Sequence, residues 1–376
     1  MIVDEKRMDV VNAVKDWLEA EVKPVAADFD KSGEIPMDLY QGMAEMGLNI
    51  MCVPEEAGGL GLDSVTQTLI AEQMGYYETG LGSAVGANAS ATHMIINAAN
   101  DVQKKIFFDA LVNGGWAAFA LTEPDSGSDA AGIKTSVIED GDDLIINGNK
   151  CFITNGGIAS VYVVMATVDH SKGGKGIGCY LVERDRDGVK IGKEEDKMGI
   201  RLSNTTEVIF DNVRIPKDHM IAEPGKGFKI ALATLTESRI NVGMMGVGLA
   251  ERALDEAIEY AKVRKQFGRP ISKLPTIQFT LADIATQVEA GKALALYTAE
   301  LVDADRPFMK QSSMTKMFGS DTAMKATIEA LQVVGGYGYM REYPMEKLVR
   351  DAKILQIYEG TNQIQRMIVG GQITRD

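Results

Sequence analysis

The chain has 376 residues, 45% of them hydrophobic, and a formal net charge of −14. Such a length can bury two or three cores, which excludes a disordered chain, and the acidic balance argues against nucleic acid or an anionic membrane as a general partner, since both need a basic face. Three cysteines, Cys52, Cys151 and Cys179, lack paired or metal-type spacing, which speaks against a disulfide framework or a zinc site.

The N-terminal stretch Met1–Arg7 has no apolar h-region, and no run approaches the ~18 apolar residues that a membrane span requires, so a cytoplasmic location is expected. Val10, Val14, Leu18 and Val22 form an i, i+4 ladder that marks an amphipathic helix, kinked or ended by Pro24. Helical pattern continues, punctuated by Gly33, Pro36, Pro54 and Gly58–Gly61, and small-residue-rich helices run from Met74 to Ala99. The character changes near Trp116. Leu144–Ile146, then Asn147-Gly148, then Asn149–Ile153 is a type I′ hairpin signal, because Asn-Gly tolerates the positive φ angles of that turn. Val161–Val168, Ile177–Glu183, Val189–Gly192 and Thr206–Ile215 continue the strand pattern and point to a sandwich or barrel. After Gly225 the helical period returns, with helices expected over Ile240–Tyr260, Thr276–Asp303 and Ser312–Val334. Gly243, Gly246 and Gly248 permit close helix contact in the first of these, which Gly268 and Pro270 stop. His93, His170 and His219 are too scattered for a His-rich metal site and read as surface or packing residues.

One stretch carries chemistry. Ile357–Arg366 sets a carboxylate, Glu359, between Tyr358 and Gly360 and beside uncharged Thr361, Asn362 and Gln363. A carboxylate kept from cations in an apolar setting has its ionised form disfavoured, which suits a base that takes a carbon-bound proton. Gly360 lets a substrate approach closely and leaves backbone N–H groups free for a carbonyl oxygen. The plain structural reading is a helix start with Thr361 as N-cap. Leu121–Asp129 reads as a polar turn, Phe152–Gly157 as a strand end, and Arg264–Gly268 as a helix end whose cations complement the dipole.

Taken together and in this order along the whole chain, these motifs resemble those of the acyl-CoA dehydrogenase family. The resemblance implies an α+β multidomain fold: an N-terminal helical domain (1–115), a central β-barrel (116–224) and a C-terminal four-helix bundle (225–376) that builds a homotetramer. It implies FAD as cofactor and an acyl-CoA as substrate. Glu359 would remove the α-proton while the β-hydrogen leaves as hydride to flavin N5, electrons passing to an electron-transfer flavoprotein. It assigns Thr122 to the flavin ring, Ser128 to the pyrophosphate or thioester, Phe152 to stacking on the isoalloxazine and Thr154 to N5. Arg264 and Phe267 would hold FAD from a neighbouring subunit, with Gln332, Gly335, Gly336, Thr361 and Gln363 completing the cofactor set. Arg239, Tyr358 and Gly360, with Ser128, fall to the substrate. Some branches place the base directly before the Arg that matches Arg239; Ser238 stands there, and Glu237 lies about 100° further round the helix, so Glu359 is the expected base.

Departures bear on the substrate. Gly82 occupies the position of the arginine that meets a distal carboxylate in the glutaryl branch, which disfavours glutaryl-CoA. Thr236 stands where many relatives have Asp, Pro275 where many have Gln, and Phe152 where many have Trp. Short- to medium-chain and alicyclic thioesters fit the resemblance, with small residues at Ala87–Ser90 widening the tail pocket, and the reaction could run as reduction. Rival readings are an acyl-CoA oxidase that uses oxygen and a helical scaffold without flavin.

Overall fold

The computed structural model describes residues 4–374. Its first part is helical: α1 (Glu5–Trp17), α2 (Ala26–Ser32), α3 (Met37–Glu45), α4 (Ser64–Tyr77), α5 (Thr79–Ala98) and α6 (Asp101–Val112). The apolar ladder behaves as its spacing demands, with Val14, Leu18 and Val22 buried. A widened helical turn, Leu18–Val22, ends the first helix just before Pro24.

Eight strands follow: β1 (Ala117–Ala120), β2 (Ser136–Asp140), β3 (Asp143–Thr154), β4 (Val161–Thr167), β5 (Ile177–Glu183), β6 (Val189–Glu194), β7 (Thr205–Pro216) and β8 (Met220–Ala222). They form one sheet in the order β6-β7-β3-β2-β4-β5-β8, with β1 parallel to β4. Side chains from both halves of the sheet meet inside it, as where Tyr162 of β4 packs edge-on against Phe210 of β7 at 6.3 Å. The sheet is thus curled like a barrel, with β6 and β8 at the ends of its hydrogen-bonded path. Its outer face packs on α5 and α6, so all seven residues of β4 are buried.

The Asn147-Gly148 expectation is corrected here. β3 runs unbroken through both residues, and the reversal lies before it, between β2 and β3, where Gly141 adopts φ 62°. Asn147-Gly148 instead sits at an irregularity in the β3·β7 register. The extra residue lies on β7, where Asn212 takes φ 53°, and neither Asn147 nor Gly148 adopts a positive φ. Glycine at 148 meets a packing need, since a Cβ there would stand 2.3 Å from the Thr135 hydroxyl.

The last part comprises α7 (Gly227–Val263), a two-stranded hairpin of β9 (Lys265–Gln266) and β10 (Arg269–Pro270), then α8 (Pro275–Asp303), α9 (Met309–Val334), α10 (Met345–Leu355) and α11 (Asn362–Ile373). Glycine contacts let α7 lie tight against two neighbours. A Cβ on Gly248 would come 2.0 Å from the carbonyl oxygen of Glu72 on α4, and one on Gly243 would come 2.5 Å from that of Thr315 on α9. As a result the two helical parts share a single apolar core, in which Leu69 and Met74 of α4 meet Met244 and Met245 of α7. Among the described residues, no helix is long and apolar enough to cross a membrane.

Candidate active site

A cavity of about 270 Å³ opens between α4, α5, α7, the end of β3 and the turn that joins α10 to α11. It brings together Thr122, Ser128, Phe152, Thr154, Arg239, Tyr358, Glu359 and Gly360 from the residues singled out in the sequence. Of the small tail-pocket residues, Ala87, Ala89 and Ser90 line it. Asn88 turns away to donate to the Asn49 carbonyl at 2.6 Å.

Glu359 sits on a turn that glycine alone tolerates easily. Its φ is 54° and that of Gly360 is 88°, a conformation that strains any residue with a Cβ. Three side chains hold the two carbonyls of this turn: Arg239 Nε donates to Glu359 O at 3.0 Å, while Gln365 Nε2 and Lys316 Nζ each donate to Gly360 O at 2.9 Å. Lys316 also donates to Asn362 Oδ1 at 3.0 Å. Tyr358 is tied to α5 through a 3.2 Å hydroxyl contact with Ser83. The carboxylate itself accepts a hydrogen bond from the Ser238 hydroxyl at Oε2.

The expectation that Glu359 stands apart from cations is corrected by this arrangement. Arg239 and Lys316 are both near enough to favour its anion, as is the Ser238 hydroxyl, yet burial outweighs all three and raises the carboxyl above its ordinary range. The two cations direct their donors at backbone carbonyls, so the carboxylate is left without a salt bridge. Burial in turn pushes the Lys316 ammonium down to about 7, against the pull of Glu359.

The end of β3 forms another part of the cavity wall. An irregularity between Lys150 and Ile153 turns Phe152 out of the ladder with φ 56°, leaving its ring 64% exposed next to Thr154. Pairing of Thr154 with Thr205 and a 2.8 Å bond from Asn155 N to Asn204 O fix that strand end. The Leu121–Asp129 segment is fastened to it from behind. Buried Lys150 donates to Glu123 Oε1 at 2.7 Å and to Leu121 O at 2.9 Å, and Cys151 N donates to Thr122 O at 3.0 Å. An apolar ring flanked by threonine hydroxyls suits a planar heteroaromatic group with hydrogen-bonding edges, so these residues fit a flavin.

Other sequence-predicted residues lie off the cavity. Arg264 stacks over Tyr337 at 5.8 Å, which gathers the end of α7 and the Gly335-Gly336 segment on one outer face of the bundle. Phe267 is 90% exposed at the tip of the hairpin, and Gln332 is exposed as well. Cβ atoms built on Gly335 or Gly336 would meet nothing within 4 Å. Thr361 caps α11, accepting from Ile364 N at 3.3 Å, and Gln363 is exposed on its first turn. Pro275 opens α8, where its fixed φ suits the first helical position. Thr236 is buried and donates to Leu232 O at 2.8 Å.

Three features escaped sequence reading. Lysine in an amphipathic helix reads as a solvent-facing residue, but Lys316 has no exposed surface. Ser238 was noted for the base it lacks, whereas it is a hydrogen-bond donor to that base. His93 lines the cavity and pairs through Nδ1 with Glu237 Oε1 at 3.3 Å.

Models of the N-terminal, middle and C-terminal domains of acyl-CoA dehydrogenases match residues 4–115, 118–213 and 225–374. The chain belongs to the acyl-CoA dehydrogenase family, FAD-dependent oxidoreductases that act on the CH–CH bond of acyl-CoA thioesters. It is similar to an acyl-CoA dehydrogenase of Bacillus subtilis (strain 168), 41% identical over 371 residues that cover 98% of either chain. Among solved structures, butyryl-CoA dehydrogenase from Megasphaera elsdenii matches with a TM-score of 0.97 and 39% identity over 100% of both chains. Glutaryl-CoA dehydrogenase from Mycobacterium smegmatis, solved in complex with FADH2, matches with a TM-score of 0.93 and 28% identity, over 99% of this chain and 95% of that one.

Proposed function

We propose that Glu359 is the base that removes the α-proton of an acyl-CoA thioester, giving the 2-enoyl-CoA. The observation that carries this reading is the carboxylate's place, made more basic by burial, in a cavity that Phe152, Thr122 and Thr154 also line. A raised pKa brings proton affinity closer to that of the medium, where a general base works best. Ser238 holds Oε2, and Arg239, Lys316 and Gln365 fix the strained backbone that aims the carboxylate. The backbone N–H of Glu359 would meet charge developing on the thioester carbonyl, a contact worth roughly 3–4 kcal/mol in comparable oxyanion sites.

Phe152, Thr154, Thr122 and Ser128 would hold FAD, which when bound would supply the acceptor for the β-hydride. Thr361, Gln363 and the outer-face set Arg264, Phe267, Gln332, Gly335 and Gly336 are read as further cofactor contacts. Because that outer face does not line the cavity, its role fits a homotetramer in which it serves a neighbouring subunit. Three structural units, 1–115, 116–224 and 225–376, then divide the work, and electrons leave to an electron-transfer flavoprotein. A short- to medium-chain acyl group is the substrate best supported.

Glu359→Gln tests the assignment. The variant should keep bound yellow flavin and lose turnover by about 10²–10⁴-fold; near-normal kcat with an artificial acceptor would overturn it. Peroxide formation under air would instead favour an oxidase.

A further inference from the structure

The cavity is open at one end and shut at the other. At its mouth Gly127, Ser128 and Leu232 are exposed, and the highly charged CoA must reach solvent on that side. The far end is formed by Ile70 and Met74 of α4, Gly82 and Val85 of α5 and Met245 of α7, all of them buried and apolar. A Cβ on Gly75 would stand 2.0 Å from the Met245 carbonyl oxygen, so behind this end the backbones of α4 and α7 touch. The two glycines that α5 contributes to the lining differ in what they face. A Cβ on Gly86 would meet nothing within 4 Å, whereas one on Gly82, a turn earlier, would stand 2.6 Å from Met245 Sδ and 2.9 Å from Met74 Cβ. The thioether of Met245 thus fills the room that a side chain at 82 would need, and the space closes between one turn of α5 and the next.

Met245 also stands at a defined distance from the carboxylate. Ser238, which donates to Glu359 Oε2, lies on the same face of α7 two turns before Met245, roughly 10 Å along the axis. Contact with the thioether takes about 3.5–4 Å of that span, and the remainder holds about five bonds of an extended chain at roughly 1.2 Å each. Counted from an α-carbon opposite Glu359, the chain ends near hexanoyl or heptanoyl. The polar groups closest to this end are already engaged: the Ser83 hydroxyl donates to Thr79 O at 3.0 Å and contacts the Tyr358 hydroxyl at 3.2 Å. A methyl terminus therefore leaves no donor or acceptor stranded, whereas a polar one would be buried without a partner.

We infer that Met245 determines the upper length of the acyl chain, its thioether seated over Gly82 as the floor of the tail pocket for an unsubstituted chain that ends near hexanoyl. The inference rests on the reading of Glu359 as the base, because the length is measured from it. The floor yields rather than blocks. Methionine is unbranched with three rotatable bonds, so kcat/KM should decline step by step beyond hexanoyl instead of stopping at one length.

The test measures kcat/KM of the flavin-loaded enzyme, with an artificial electron acceptor, for butyryl-, hexanoyl-, octanoyl- and decanoyl-CoA, each taken relative to butyryl-CoA so that the fraction of folded enzyme cancels. The wild-type enzyme should favour hexanoyl- over octanoyl-CoA. Met245→Ala should raise the octanoyl-to-butyryl ratio by about tenfold, the size expected from burying two further methylenes. Met245→Leu, which conserves volume, should leave that ratio nearly unchanged. Gly82→Ala, which drives Sδ into the cavity, should lower the hexanoyl-to-butyryl ratio and tests the floor from α5 should Met245→Ala fail to fold. An octanoyl ratio unmoved by Met245→Ala, an equal rise in Met245→Leu, a hexanoyl ratio unmoved by Gly82→Ala, or a wild-type preference for octanoyl- or decanoyl-CoA would each overturn the inference and leave the base assignment standing. Absence of flavin reduction by every thioester in the wild-type enzyme would take down both.

Discussion

Two turns deliver side chains into the same cavity, and they are braced in different ways. Cys151–Asn155 departs from the strand with Phe152 and Asn155 in the left-handed region, yet it is held by the main chain, through Thr122, Thr205 and Asn204. Tyr358–Thr361 also carries a left-handed non-glycine residue, Glu359, but its carbonyls are held by side chains from α7, α9 and α11. Backbone strain is kept where the surroundings over-determine it. The ladder that braces the first turn survives most substitutions. The second depends on individual residues, so single changes distant in sequence from Glu359 should unseat it.

Lys316→Met presses hardest on this difference. It removes the lysine donor from Gly360 O and Asn362 Oδ1, which keep Gln365 Nε2 and Ser320 Oγ as partners, so the cost is the net worth of the lost bonds, about 1 kcal/mol. Urea unfolding should register that loss, and kcat should fall about tenfold while flavin content is retained; unchanged kcat would show that the turn needs no such brace. Lys316→Arg should recover part of the rate if the charge-assisted donor is what counts.

Ser238→Ala has a smaller effect with a distinct signature. The hydroxyl favours the Glu359 anion, so removing it raises the carboxyl further above its ordinary range. Since the ionised form does the work, the acid limb of the kcat/KM profile should move to higher pH, with activity lost mainly on the acid side. A limb that stays in place, or moves to lower pH, would mean that Glu359 is not the group being titrated.

Phe152→Gly probes the main-chain-braced turn and should disturb stability least. The ring is mostly exposed and the backbone is already in the region glycine prefers, so apo-protein stability should change by less than about 1 kcal/mol. Flavin retention, read from absorbance after gel filtration, should nevertheless drop.

The same contrast explains what was legible in the sequence. Ile177–Glu183 was bounded correctly because a strand buried on both faces is a bare apolar run between turn residues. Long helices were recognised from their period, although α7 begins at Gly227, well ahead of the Ile240 expected, because its first turns carry a weaker apolar pattern. Glu359 was found through its neighbours in the chain. Its braces were not, since Lys316 and Gln365 gain their meaning only once α9 and α11 pack beside the turn. His93 was passed over for the same reason: its partner Glu237 is supplied by a helix on the far side of the sheet domain in sequence. Asn147-Gly148 failed differently, because its glycine answers a close approach by Thr135, which comes from outside the dipeptide, and not a turn.

The shared helical core has a consequence for biosynthesis. Domains tend to consolidate as they emerge, N-terminus first, but α4 has no complete partner until α7 has been made. Glu359 and the α11 residue that steadies it come later still. A nascent chain can therefore finish its sheet while half of its helices wait, and truncation just short of Asn362 would leave a molecule able to fold most of its bulk yet deprived of the anchor that aims its only proposed base.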